Sequence, residues 1–216
     1  MRSKRTCVRK HVKRKNPNKM DMQIFQVKTN QTEPIREGSI LIASPLLNDY
    51  HFVRSVVMIV SNEAEGSMGI VMNKRFKGPL TLNQLIPELK EADEIPVFLG
   101  GPLERDTLFF IHRFRELEGA FPLGNGLYLN GDFEYIKNYI ASGMPVEGRI
   151  RFFTGYAGWG PGQLQQELDN QAWIVGKSHP ANFLQGVYTH YWTHCMNDLG
   201  GLYRFWAKYP VIPSLN

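Results

Sequence analysis

His190 and His194 lie four positions apart with Cys195 and Asp198 close behind, and on a helix that spacing turns two imidazoles toward one metal ion. A transition metal needs further ligands. No second His, Cys or acidic motif supplies them, and Tyr191 with Trp192 suits a core or interface face better, so no metal site is expected. A second set, Asp49, His51 and Arg54, precedes an apolar run. There His51 offers a base and Arg54 an anion clamp, while ordinary turn polarity accounts for the same residues equally well. Nucleophilic hydrolysis would call for Gly-x-Ser-x-Gly, which is absent, and Ser55 and Ser67 sit inside apparent strands. The chain therefore leans away from an enzyme, names no catalytic residue and implies no cofactor.

The densest local pattern is Gly155-Tyr156-Ala157-Gly158-Trp159-Gly160-Pro161-Gly162-Gln163-Leu164-Gln165-Gln166-Glu167. Gly160 suits a helix N-cap, Pro161 the first helical position, and Gln163 the position whose amide reaches back to the cap N–H. Trp159 is spaced to pack on Leu164. The preceding Arg149-Ile150-Arg151-Phe152-Phe153-Thr154 is rich in β-formers, so the segment reads as strand, glycine-rich turn, helix. Two roles stay open. The glycines permit a tight turn while Trp159 fills core, or the helix entrance, Trp159 and Gln163 hold a small ligand. Phosphate-cradling patterns ending in Gly-Lys-Ser/Thr are absent.

This segment resembles the signature of the YqgE/AlgH family, and four further stretches agree in order. They are Gly38-Ser39-Ile40-Leu41-Ile42-Ala43-Ser44-Pro45, Phe52-Val53-Arg54-Ser55-Val56-Val57, Gly66-Ser67-Met68-Gly69-Ile70-Val71-Met72-Asn73-Lys74, and Gly100-Gly101-Pro102. The match runs from about Gly38 to about Trp173. The resemblance implies a compact α+β fold with a large mixed sheet and a bacterial, cytoplasmic protein. It brings no catalytic residue to carry over, and the family name suggests transcriptional regulation.

Composition sets the frame. A chain of 216 residues, 43% hydrophobic, can bury a substantial core, and nothing after the N-terminus resembles a linker. No apolar run reaches the roughly 18 residues that span a bilayer, so no membrane partner is expected. Two cysteines, Cys7 and Cys195, give no disulfide framework and fit a reducing cytoplasm. The net charge of +5 comes from the tail. Nine of the 25 Lys and Arg lie in residues 1–20, which hold no acid, leaving 16 against 20 Asp and Glu, a net of −4. The folded part thus lacks the basic footprint of a nucleic-acid binder, and only the tail offers phosphates non-specific contact. Residues 1–20 read as a disordered extension, or as sequence upstream of a start at Met20 or Met22, and 21–216 as one domain.

The elements that must position these groups are mostly strands, near 38–44, 52–61, 67–73, 96–99, 107–112, 126–130, 149–154 and 171–175. Helices should start at the capping box Thr81-Leu82-Asn83-Gln84, at Asp132 with Phe133, Ile136 and Ile140 on one face, and after Gly160. A further helix through Trp192, Met196 and Leu199 should end at Gly200, followed by an extended tail containing Pro210 and Pro213. The fold class is α+β, a single compact domain with a large mixed β-sheet and a few flanking helices. Asn73 either caps its strand or points into a pocket beside the Gly100-Gly101-Pro102 turn. The leading functional expectation is a cytoplasmic binding protein with a possible regulatory role, whose surface at Arg54, Asn73, Trp159 and Gln163 engages a small molecule or a protein partner. An enzyme of unknown reaction, or an indirect transcriptional regulator, is the alternative.

Overall fold

Val56-Val57-Met58-Ile59-Val60 has no polar residue to turn outward. In the computed structural model, which describes residues 34–176, 183–185 and 190–208, all five are buried. A strand covered on both faces is apolar throughout, and this one, β2 (Val56–Glu63), becomes polar only at its far end. It lies between β1 (Ile40–Ala43) and β3 (Gly66–Val71), antiparallel to both. The basic tail and the segment with Pro210 and Pro213 lie outside the described residues.

Among the described residues nine strands form one sheet. After β3 come β4 (Val97–Leu99), β5 (Leu103–His112), β6 (Phe121–Gly124), β7 (Leu127–Leu129), β8 (Ile150–Trp159) and β9 (Trp173–Gly176). The order is β6-β7-β5-β8-β3-β2-β1-β9, with β4 paired to β8 off this path. Among the described strands only β4 and β8 run parallel, which makes the sheet mixed, as the α+β reading expects. β6 was not anticipated. Its Phe-Pro-Leu-Gly sequence reads as a turn, but at the end of the sheet order Pro122 can leave one side of the ladder unpaired.

β8 belongs to two ladders at once. Phe152–Thr154 pairs with β4, and Ala157–Trp159 pairs with β3 on the same side. Between them Gly155 has φ +72°, where a Cβ would stand 2.6 Å from the Gly101 carbonyl oxygen and 2.7 Å from that of Leu103. The sequence reading of a turn here is therefore corrected. The glycine bends the chain, and the strand continues to Trp159 because β3 still offers it a ladder.

Two clusters account for part of the core. One gathers Leu41, Val57, Ile59, Val71, Ala157 and Trp159 against Leu164, Leu168 and Trp173. The other gathers Val97, Phe110, Ile150 and Phe152 against Ile136 and Ile140. Among the described residues the helices are α1 (Leu82–Leu85), α2 (Phe133–Ala141), α3 (Gln163–Asp169), α4 (Tyr191–Leu199) and α5 (Tyr203–Trp206), with a 3-10 turn at Pro87–Leu89. Asp132 caps α2 by accepting the N–H groups of Glu134 and Tyr135, and Ile136 and Ile140 bury its inner face, each contributing about 2 kcal/mol. α4 ends at Gly200, as its sequence indicates.

Candidate functional site

The signature segment builds a hydrogen-bonded aromatic corner. Trp159 ends β8 and is 5% exposed, and its indole N–H donates to Glu167 Oε2 at 2.9 Å. The Trp173 indole N–H donates to the same oxygen at 2.7 Å. Gln163 Nε2 donates to the other carboxylate oxygen at 2.9 Å, while its Oε1 accepts the Gly160 N–H at 3.0 Å. That last bond is the reach-back expected of Gln163, although α3 begins two residues later than expected, behind Gly162 at φ +71°. Phe52 covers the corner, its ring 6.4 Å from Trp159 and 5.6 Å from Trp173.

The small residues of the third motif exist for this corner. A Cβ on Gly69 would meet the Trp159 ring at 3.3 Å and Val57 Cγ1 at 2.6 Å, and one on Gly66 would meet the Trp159 carbonyl oxygen at 2.4 Å. Likewise Gly100 and Gly101 lie against the β8 backbone, where a Gly101 Cβ would fall 1.9 Å from the Tyr156 carbonyl carbon. Glycine is needed where two backbones approach this closely.

Arg54 and Asn73 form a second pair. Asn73 Oδ1 accepts the Val56 N–H at 2.8 Å and its Nδ2 donates to the Arg54 carbonyl at 2.9 Å, so one amide fixes the entry to β2. Arg54 itself has φ +53°, and its guanidinium lies 4.9 Å from the Trp192 ring centroid. The Trp192 indole N–H in turn donates to the Ala43 carbonyl at 2.7 Å. The four candidate residues thus fall into two pairs, Trp159 with Gln163 through Glu167, and Arg54 with Asn73. In both pairs the polar side-chain atoms named here serve the fold.

Next to the second pair opens a cleft of about 850 Å³. Tyr50, His51, Lys74, Arg75, Lys77 and Arg105 line it together with Gly78, Pro79, Gly101 and Pro102. Lys74 donates to the Val53 carbonyl at 2.5 Å, and burial together with the neighbouring Arg54 charge draws its amine below its ordinary pKa. The Arg105 guanidinium lies 5.8 Å from the Phe76 ring, and that of Arg75 lies 5.4 Å from Phe98. Asp49 is spent on the turn, accepting the His51 and Phe52 N–H groups with Oδ1. Sequence reasoning missed the cationic wall, although Lys74-Arg75-Phe76-Lys77 directly follows the third motif. It missed Glu167 as well, whose only mark is its place one helical turn after Gln163.

A mixed sheet with a doubly paired central strand, an aromatic corner at one end of that strand and a cationic cleft beside β3 defines an α+β protein with the AlgH-like architecture. The chain belongs to that family: the AlgH-like sequence profile matches residues 40–204. A UPF0301 protein of Bacteroides fragilis is 44% identical over 197 residues, covering 91% of this chain and 99% of that one. A UPF0301 protein of Chlorobium limicola is 32% identical, covering 87% and 99%. The solution structure of the AlgH protein from Pseudomonas aeruginosa superimposes with a TM-score of 0.63 at 25% identity, covering 83% of this chain and 97% of that one. The crystal structure of protein DIP2367 from Corynebacterium diphtheriae, at 23% identity, shares the fold with a TM-score of 0.66, covering 82% and 94%.

Proposed function

We propose that this protein binds a small molecule, and that the ligand occupies the cleft bounded by residues 50–53, 74–80 and 101–105. The observation that carries this reading is the cleft itself, about 850 Å³ in volume, a size ordinary for ligand sites, with cations gathered on its walls. In this reading Asn73 and Arg54 act as positioning residues. Asn73 holds the backbone that presents Val53 and Lys74, and Arg54 sets the charge felt by Lys74. Trp159 and Gln163 keep β8 and α3 in place behind them.

The test is native mass spectrometry of gently purified protein, comparing wild type with Val53→Trp, which fills the cleft, and Trp159→Phe, both checked for folding. A retained small molecule that is lost only from Val53→Trp supports the cleft. Loss only from Trp159→Phe moves the site to the signature corner and overturns the assignment.

A further inference from the structure

From residue 21 onward this chain is net acidic, yet all four of the formally charged side chains among the described cleft lining are positive: Lys74, Arg75, Lys77 and Arg105. Composition alone would not put four cations and no carboxylate on one concave wall. Another large cavity shows the reverse, with Glu88, Glu91, Asp93, Glu94 and Glu147 along it. Charge is therefore sorted between the two cavities.

Resting on the binding reading above, we propose that the cleft takes an anionic small molecule with an apolar body, an organic carboxylate or a phosphate ester. Concave walls of low dielectric focus the field of like charges and raise the local concentration of a counter-ion. Lys74 and Arg105 reach the cleft from stretches distant in sequence, one just after β3 and one within β5. Both are held in place, Lys74 by the Val53 carbonyl and Arg105 by the face of Phe76. Burial and the Arg54 charge lower the pKa of the Lys74 amine, and an anion in the cleft would raise it again. Tyr50, Val53, Phe76, Pro79, Leu80 and Pro102 supply the apolar surface for the rest of the ligand.

The experiment titrates wild-type protein by calorimetry and NMR with four probes: octanoate, octyl phosphate, 1-octanol and inorganic phosphate. Octanoate or octyl phosphate should bind at least about tenfold more tightly than 1-octanol, and whichever is tighter identifies the head group. Inorganic phosphate alone should bind weakly. Arg105→Ala and Lys77→Ala, both at exposed positions, should each weaken the preferred probe by about tenfold and leave 1-octanol unchanged. Equal affinity for octanol and for the charged probes overturns the anion class while leaving the binding reading intact. Inorganic phosphate binding as tightly as octyl phosphate overturns the apolar body. If no probe binds although a molecule is retained by wild type and lost from Val53→Trp, the class is wrong and the cleft is right. If no probe binds and Val53→Trp loses nothing, both fall.

Discussion

Trp159 stands edge-on to Trp173, ring centroids 5.8 Å apart and planes at 77°, and both indoles donate to a single oxygen of Glu167. One carboxylate thus ties the end of β8 and the start of β9 to α3. Glu167→Ala strands two largely buried N–H groups and should cost about 3 kcal/mol in urea unfolding. Glu167→Gln keeps an acceptor oxygen and should cost about 1 kcal/mol. Equal losses for the two variants would mean that the charge, and not the bonding geometry, holds the corner.

Asn73 makes one bond to each side of the β2 entry. Asn73→Ala should therefore cost about 2 kcal/mol, and it should release Arg54 from its left-handed backbone conformation. Urea midpoints measure the first effect. The Arg54 HN–Hα coupling reports the second, while amide exchange at Val56, whose acceptor is Asn73 Oδ1, should accelerate well beyond the average for β2.

Gly101→Ala would push a methyl into the Tyr156 backbone and should cost about 3 kcal/mol or more. Gly78 lines the cleft with open space where its Cβ would stand, so Gly78→Ala should shift stability by less than about 1 kcal/mol. A ranking in the opposite order, read from thermal melts of the two variants, would contradict the packing of the Gly100-Gly101 turn on β8 described above.

His112 is fully buried, with Nδ1 accepting the Phe114 N–H at 3.1 Å and Nε2 lying 2.7 Å from the Asn130 carbonyl. With Nδ1 as acceptor, the proton of the neutral ring sits on Nε2 and is donated to Asn130. Burial lowers its pKa from the ordinary 6.5 and outweighs the Asn130 bond, which favours the charged form. A depressed folded value means that the unfolded chain takes up this proton first. The contribution to stability is accordingly complete above 6.5 and is lost as the pH falls from there through the folded value. An imidazole NMR titration should place the His112 midpoint below 6.5, and a midpoint above it would reverse the sign.

The thiol of Cys195 is held up at about 12, first by burial and then by the negative charge of Asp198. Tyr191, also raised by burial, shares a hydrogen bond with it. In a Cys7→Ser background, alkylation at about pH 8 should run at least a hundredfold more slowly than for an ordinary thiol, since thiolate is scarce. Urea should restore the ordinary rate.

Much of the architecture is legible along the chain because its signals are local. Asp132 with Ile136 and Ile140 carries a helical period, and β1 and β2 show themselves as continuous apolar runs. What stays hidden depends on partners distant in sequence. Gly155 looks like a turn until β3 is known to pair with the residues after it, and Pro122 disqualifies β6 until its place at the end of the sheet order is seen. The site follows the same rule. Trp159 and Gln163 stand out by rarity, yet their polar atoms are consumed by Glu167 and Gly160, whereas Arg105 is unremarkable in sequence and meets Lys74 only through the fold.

Because β8 is hydrogen-bonded to β5, β4 and β3 at once, neither half of the sheet can melt without tearing a strand out of the other. The amides of β2 and those of β5 beside β8 should then exchange with solvent only through one shared opening event, with a common free energy and a common denaturant slope. A nick or a proline placed at Tyr156 would divide that single unit into two.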